Sequence, residues 1–418
     1  MKTTAVSVSL LALGVASSYG IYAPELTRIE TGKPWTVSAS LRGFYDDNWN
    51  CQPDWVDEDA DSFGFEARPY IAFNFPMEAT FIGLSYLNSS RYYEARPNNE
   101  WDFTHDVGLK FDHAFSPRYR VKLNDSFLYG SQPDVAGVVS MPFQRTDLTY
   151  YRNLADVTFS GELTEVLGFA LGYKNTFYNY EDSGDNSYNA LLNRVEHAIP
   201  VDIRYQFQPD LVGLVGYQFG YFDYTSDYLI ADGLPASARN LMSHAIYLGA
   251  DYDITSTLRA GLRVGAQYST YEDFSDEDQW TPYVDGSLSY YYLPGSHIDF
   301  GIKNMVSPTD VYFTDGTTPT LNIEATALYV MVTHQFTPKL TANLLAQYQL
   351  SSFYGGLYDG ECENLLLLGL YASYQINQFL AVEAGYNFDW LDSNIEDNGV
   401  DLRTYDRNRV FIGVRATY

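Results

Sequence analysis

The feature that most constrains the fold is a segment of ten or more residues with alternating apolar and polar side chains. It recurs along nearly the whole chain, and each copy is followed by a turn. In Leu258–Tyr268 the even positions are Leu258, Ala260, Leu262, Val264, Ala266 and Tyr268. Between them lie Arg259, Gly261, Arg263, Gly265 and Gln267. Successive side chains of a strand point to opposite faces, so each such segment has one apolar and one polar face. Leu340–Leu350 repeats the pattern with Thr341, Asn343, Gln347 and Gln349 on the polar face, and Leu380–Trp390 does so with Glu383, Gly385, Asn387 and Asp389. Half-buried strands of soluble sandwiches also alternate, but they usually run about five or six residues. A tilted strand that crosses a bilayer needs roughly 9–11. Length therefore predicts membrane strands.

The connections between segments alternate in kind. Short ones carry an aromatic or apolar residue followed by a proline or polar residue, as at Phe75-Pro76, Phe115-Ser116-Pro117, Phe207-Gln208-Pro209, Phe336-Thr337-Pro338 and Ile376-Asn377-Gln378. Long ones are polar, acidic and glycine-rich: 46–62, 131–146, 181–192, 227–240, 273–279, 306–320 and 391–405. Tight turns alternating with long loops are expected of an all-β, antiparallel, up-and-down transmembrane β-barrel with short periplasmic turns and long outer loops. Eighteen strands are predicted, at 35–46, 63–75, 79–91, 101–115, 119–130, 147–160, 167–180, 193–207, 211–225, 241–253, 257–271, 280–293, 296–305, 321–336, 339–353, 364–376, 379–391 and 406–418. The patterns of 63–75, 147–160 and 296–305 are weak, which leaves sixteen as the alternative.

The N-terminus specifies export. Lys2 is the only charge in the first twenty residues, an apolar run spans 5–16, and Ser17, Ser18 and Gly20 precede a change of composition. This is the pattern of a secretory signal peptide over 1–20, cut after Ala16 or Gly20. Residues 21–34 are then a short periplasmic segment and 35–418 the barrel. So short a lead-in supplies no internal plug. Downstream, no run approaches the roughly 20 apolar residues of a spanning helix, so a closed barrel is the remaining way to satisfy the backbone in lipid. Aromatic content agrees: 38 tyrosines and 25 phenylalanines suit a wall that meets headgroups at both interfaces. A mean hydropathy of −0.24 fits a wall whose inner face is wet.

Strand parity assigns charges to the lumen. Arg42, Arg68, Arg120, Lys122, Lys174, Arg204, Arg259, Arg263, Lys303, Arg409 and Arg415 fall on the inner face, with Asp156, Asp202, Asp251, Asp285, Asp299 and Glu383. Rings of charge at close quarters set ion selectivity, and the inward arginines favour a mixed or anion preference. The same residues could instead cross-brace a closed lumen. The acidic excess, formal charge −28, sits mainly in the loops and excludes a nucleic-acid partner.

Other constellations are weaker. Asp57-x-Asp59-x-Asp61 resembles the opening of a calcium loop, but Ser62 stands where the glycine belongs and Arg68 where the bidentate glutamate belongs. Cys51 and Cys362 map to the first and eighth outer loops, which closure brings near one another, making them a candidate disulfide in an oxidising compartment. The six histidines have no metal-ligand spacing, and neither a nucleophile elbow nor a cofactor fingerprint occurs. No enzymatic activity and no cofactor are therefore expected.

The final strand, Val410–Tyr418, alternates and ends on an aromatic, so Tyr418 resembles the terminal signal by which outer-membrane barrels are recognised by their assembly machinery. The stretch His105–Ser126, with Phe115-Ser116-Pro117 at its turn, resembles the hairpin style of β-barrel porins and related outer-membrane proteins. That resemblance implies a bacterial outer-membrane barrel and a pore, without a substrate. The expected function is passive diffusion of small hydrophilic solutes. The competing reading is a non-conducting structural or adhesive barrel that presents acidic loops. Expected partners are outer-membrane lipid, surface glycolipid, the assembly machinery and the solute, with a homotrimer as a candidate assembly.

Overall fold

The computed structural model describes residues 33–56, 60–97, 99–131, 149–231, 233–312, 318–397 and 399–418. The signal segment 1–20 and nearly all of 21–34 lie outside the described residues.

Eighteen long strands form one sheet. They are β1 (Trp35–Asp46), β2 (Ser62–Pro76), β3 (Thr80–Tyr93), β4 (Trp101–Ser116), β5 (Tyr119–Gly130), β6 (Tyr150–Glu162), β7 (Leu167–Tyr180), β8 (Arg194–Gln208) and β9 (Leu211–Tyr224). The rest are β10 (Leu241–Asp253), β11 (Leu258–Tyr271), β12 (Gln279–Leu293), β13 (Ser296–Ser307), β14 (Asn322–Thr337), β15 (Leu340–Tyr354), β16 (Cys362–Gln375), β17 (Leu380–Ser393) and β18 (Tyr405–Thr417). Each pairs antiparallel with its chain neighbours, and β18 pairs with both β17 and β1, so the sheet closes. The three weakly patterned segments are all strands, which decides for eighteen over sixteen; β6 begins at Tyr150 rather than 147.

The outer face is apolar without being covered by protein. Ile246, Leu248 and Ile412 are 65%, 64% and 65% exposed. Such a belt would be costly in water and is what a lipid-facing wall requires.

A repeated side-chain bond marks the loop-side end of this belt. In seven hairpins a tyrosine on the strand rising to the loop reaches a polar group on the descending strand. That group lies two residues nearer the loop than the tyrosine's direct partner. The hydroxyl of Tyr45 donates to Asp61 (3.3 Å), that of Tyr348 to Asn364 (2.6 Å), that of Tyr386 to Asn408 (2.7 Å) and that of Tyr268 to Asp278. Tyr86, Tyr173 and Tyr217 instead place their hydroxyls 2.9, 2.9 and 2.8 Å from Nδ1 of His105, His197 and His244. An aromatic ring that faces lipid with its polar tip satisfied belongs at the membrane–water boundary.

On the inner face, large rings lie over glycines of the next strand. A Cβ at Gly385 would run into the Phe411 ring, which packs under the Arg42 guanidinium 4.6 Å away. Gly385→Ala therefore forces Phe411 off its site at the closure seam, an overpacking cost of about 1–3 kcal/mol. The barrel of this variant should lose its folded, heat-modifiable gel mobility at a lower temperature than the unaltered protein. An unchanged transition would show that the seam absorbs the methyl.

Candidate functional site in the barrel lumen

Side-chain alternation turns every charge that strand parity assigned to the lumen towards the barrel interior. Their surroundings divide them into three groups.

The first group braces the closure seam. Arg42 on β1 donates to Glu383 on β17 (Nη2–Oε2 2.8 Å) and lies 3.5 Å from Glu66 on β2. Glu66 also takes Arg91 (2.9 Å) and Arg68 (3.8 Å), and accepts from the Ser89 hydroxyl (2.5 Å). Glu383 also takes Arg415 (3.0 Å) and accepts from the Tyr371 hydroxyl (2.7 Å). Four guanidiniums thus share two carboxylates, and Arg42, Glu66 and Glu383 are at most 2% exposed. Nearer the loops, Arg407 forms a two-point pair with Asp46 (2.8 and 2.5 Å), and Arg409 pairs with Asp389 (2.8 Å). Phe44, Tyr93, Tyr371 and Phe411 form a buried cluster among them. Removing one member of such a group strands a buried charge, at a cost of about 3–5 kcal/mol.

The second group lies on β8, β10 and β11 and is more open. Asp251 holds both Arg263 (3.1 Å) and Arg204, while Asp202 accepts from the Tyr247 hydroxyl (2.7 Å). Arg259 pairs with Asp253 (3.2 Å) and Arg120 with Asp112, both near the short turns. Asp299 accepts from Ser289 (2.5 Å) and lies 3.4 Å from His297.

The third group is lysine. Among the described residues, Lys122 on β5, Lys174 on β7 and Lys303 on β13 have no carboxylate oxygen in ion-pair contact. Lys174 stands in register with Asp156 and Lys303 with Asp285, yet neither closes a bridge. Lys174 is exposed although it faces inward, and Lys303 shares the inward parity six strands away.

The outer mouth is narrowed, contrary to the expectation of an unplugged lumen. Helix α1 (Tyr188–Leu192) and the short turn Ala236–Arg239 pack with Leu128, Tyr150, Tyr180 and Tyr224 in one apolar cluster, which Tyr312 joins. A second cluster joins Val311 to Ile323, Phe353, Tyr358 and Ile395. The segment 308–312 runs between the two clusters and is held by two arginines at the adjacent residues Thr309 and Asp310. Arg239 donates to the carbonyls of Thr309 (2.8 Å) and Leu191 (2.9 Å). Arg403 grips Asp310 with both terminal nitrogens (3.1 Å each) and Glu363 with Nε (2.6 Å). Burial disfavours the Arg403 charge, but Asp310 and Glu363 outweigh it and hold the guanidinium above its ordinary range. The ties to Thr309 and Asp310 are made by residues of other outer loops, which carry no periodic pattern.

Several expected sites are corrected. Cys51 and Cys362 are both free. Cys51 is buried inside, where its sulfur accepts from Arg407 (3.3 Å) and packs on Leu365 and Leu391. Cys362 heads β16 with the opposite parity to the inward Glu363 and Leu365, so its thiol points away from Cys51. The calcium-loop reading also fails locally: Ser62 and Arg68 belong to strand β2, which leaves no twelve-residue loop, and Asp61 is engaged by Tyr45. Asp57 and Asp59 lie outside the described residues, and among those described no cluster could hold a metal. Tyr418 exchanges both backbone hydrogen bonds with Val37 (2.8 and 3.2 Å), and its ring lies against Trp35 and Phe379.

A closed eighteen-strand barrel with a lipid-facing belt, an interfacial tyrosine girdle and a charged interior has the architecture of a bacterial outer-membrane β-barrel. Residues 234–418, from the end of the ninth strand's outer loop onward, match the family described as "Putative beta-barrel porin 2". Similar solved structures include OccK9 (OpdG) of Pseudomonas aeruginosa, at 12% identity over 92% of this chain and 98% of that one, TM-score 0.46. The OpdK protein of the same organism, solved with vanillate, aligns at 9% identity over 92% and 99%, TM-score 0.46. OccK2 (OpdF), solved with glucuronate, aligns at 11% over 92% and 98%, TM-score 0.45. No curated protein sequence matches the chain.

Asp310→Ala removes one anchor of the mouth segment while leaving Arg403 its glutamate. Single-channel recordings of this variant should show a larger conductance than the unaltered barrel. Equal conductance would mean that 308–312 does not narrow the path.

Proposed function

We propose that this barrel is a passive channel for small hydrophilic solutes that favours anions. The observation that carries the reading is the difference between the two kinds of inward cation. The seam arginines are spent on carboxylates and buried, whereas Lys122, Lys174 and Lys303 keep uncommitted ammonium groups facing the lumen. A mobile compact cation on a flexible stem exchanges water for a passing anion readily and releases it again, which conduction requires. Eighteen strands enclose a lumen wide enough for an aqueous path outside the filled seam. The acidic loops act on the approach to the mouth, and screening over about 8 Å weakens their influence inside.

The narrowed mouth supports a second reading, a barrel that conducts little until segment 308–312 moves. Planar-bilayer recording separates the two by conductance at rest. Under the leading reading, reversal potentials in a salt gradient show anion preference. Lys122→Glu, Lys174→Glu and Lys303→Glu together should shift the anion-to-cation permeability ratio towards cations by on the order of tenfold. A folded barrel that conducts but is strongly cation-selective, or that is indifferent to the three reversals, would sink the lysine assignment. A barrel that never conducts, with or without the Asp310 anchor, would sink the channel itself.

A further inference from the structure

The outer belt carries a chemical asymmetry that conduction does not use. Every lysine and arginine of the described strands shares the inward parity. Towards the outer leaflet, the groups on the wall that can become cationic are therefore His105, His197 and His244. All three occupy the acceptor position of the tyrosine girdle, and all three lie on one flank, in the β3–β4, β7–β8 and β9–β10 hairpins. The opposite flank fills the same position with Asp278, Asn364, Asn408 and Asp61, which accept hydrogen bonds and cannot become cationic.

We propose that the three tyrosine–histidine pairs form a contact site for phosphate-bearing lipid headgroups of the outer leaflet. Nδ1 of each imidazole is engaged by the tyrosine hydroxyl, which holds the ring in place and leaves Nε2 as its outward donor. At His197 the Asn175 side-chain amide also donates to Nδ1 (3.3 Å), so the proton of the neutral ring sits on Nε2. The rings stack on their tyrosines, with centroids 6.1, 6.0 and 6.1 Å apart, which fixes a common orientation. A phosphate at the membrane boundary then accepts from Nε2, and gains a full counter-charge when the ring is protonated.

The groups around each ring are mostly neutral. His105 is flanked by Tyr86 and Tyr129, with Glu181 reached through Tyr151 beyond them. His197 is flanked by Tyr173, Asn175 and Tyr221, the last acted on by Asp223 and Glu272. His244 is flanked by Tyr217, Phe219 and Tyr268, the last bonded to Asp278.

The barrel supplies its own control substitution. Asparagine already fills this position at Asn364 and Asn408, so His105→Asn, His197→Asn and His244→Asn can keep the tyrosine bond while removing the titratable donor. The detergent-solubilised full-length barrel is titrated with lipid A and bound lipid is counted by native mass spectrometry. At pH 6 the triple variant should bind on the order of tenfold less lipid A, the worth of a lost charge-assisted hydrogen bond. Its gel mobility and conductance should be unchanged. The reverse pair, Asn364→His with Asn408→His, should gain binding on the other flank. Retention of lipid A by the triple variant, or equal binding of dephosphorylated lipid A by the unaltered barrel, would overturn the proposal.

Discussion

Backbone hydrogen bonding in hydrocarbon is the constraint on which the rest of this structure depends. No water is available there, so every amide must be paired by the sheet, and a sheet pairs all of them only when its last strand meets its first. The β18–β1 ladder makes that join, Ser38 to Thr417 through Asp46 to Arg409. Closure then leaves two faces of opposite solvent. Strand parity sends each side chain to lipid or to lumen, and a charge on the lipid face at mid-depth costs several kcal/mol. All the strand cations go inside for this reason. Among the described residues the girdle at the interface then pairs tyrosines with histidine, asparagine and, at two hairpins, aspartate.

Once inside, the cations do different work according to their geometry. Guanidinium forks can satisfy two acceptors at once, and the seam uses them to hold Glu66 and Glu383 from several strands. Such buried groups stabilise little in net terms compared with apolar packing, but they tolerate no missing partner. Together with Phe44, Tyr93 and Phe411 they fill the interior beside β17, β18, β1, β2 and β3. The uncommitted lysines lie on β5, β7 and β13, away from this filled side.

Much of this was legible in the sequence because lipid imposes both a period and a length. Those two demands recovered all eighteen strands, most to within a residue or two at each end. Arg91 and Glu66 obey the same parity and could have been found by it; the short alternating runs around them hid the signal. Partner choice was not legible. Arg42 and Glu383 are 341 positions apart, and only the closing register brings them together. The mouth was hidden for a different reason. Thr309 and Asp310 are held by Arg239 and Arg403 from separate loops, and loops have no period to read. The cysteines show the limit of loop adjacency: Cys51 packs on Leu365 and Leu367 of the strand that Cys362 heads, yet one residue of strand parity sets the two sulfurs on opposite faces.

Mouth and lumen act in series, and they act on different properties of a solute. The segment 308–312 lies between two apolar clusters and is tied at two adjacent residues, by the carbonyl of Thr309 and the carboxylate of Asp310. Arg403 is matched by two carboxylates there, whereas Arg239 is held by carbonyls and the Tyr224 hydroxyl. On the proposed reading the lysines below would act by charge at short range, where a few ångströms of separation give an interaction larger than loop carboxylates can exert through screening electrolyte. An acidic exterior is therefore compatible with an anion-preferring interior. The −28 of the whole chain describes how the protein meets other macromolecules, while the local ammonium groups describe what can pass.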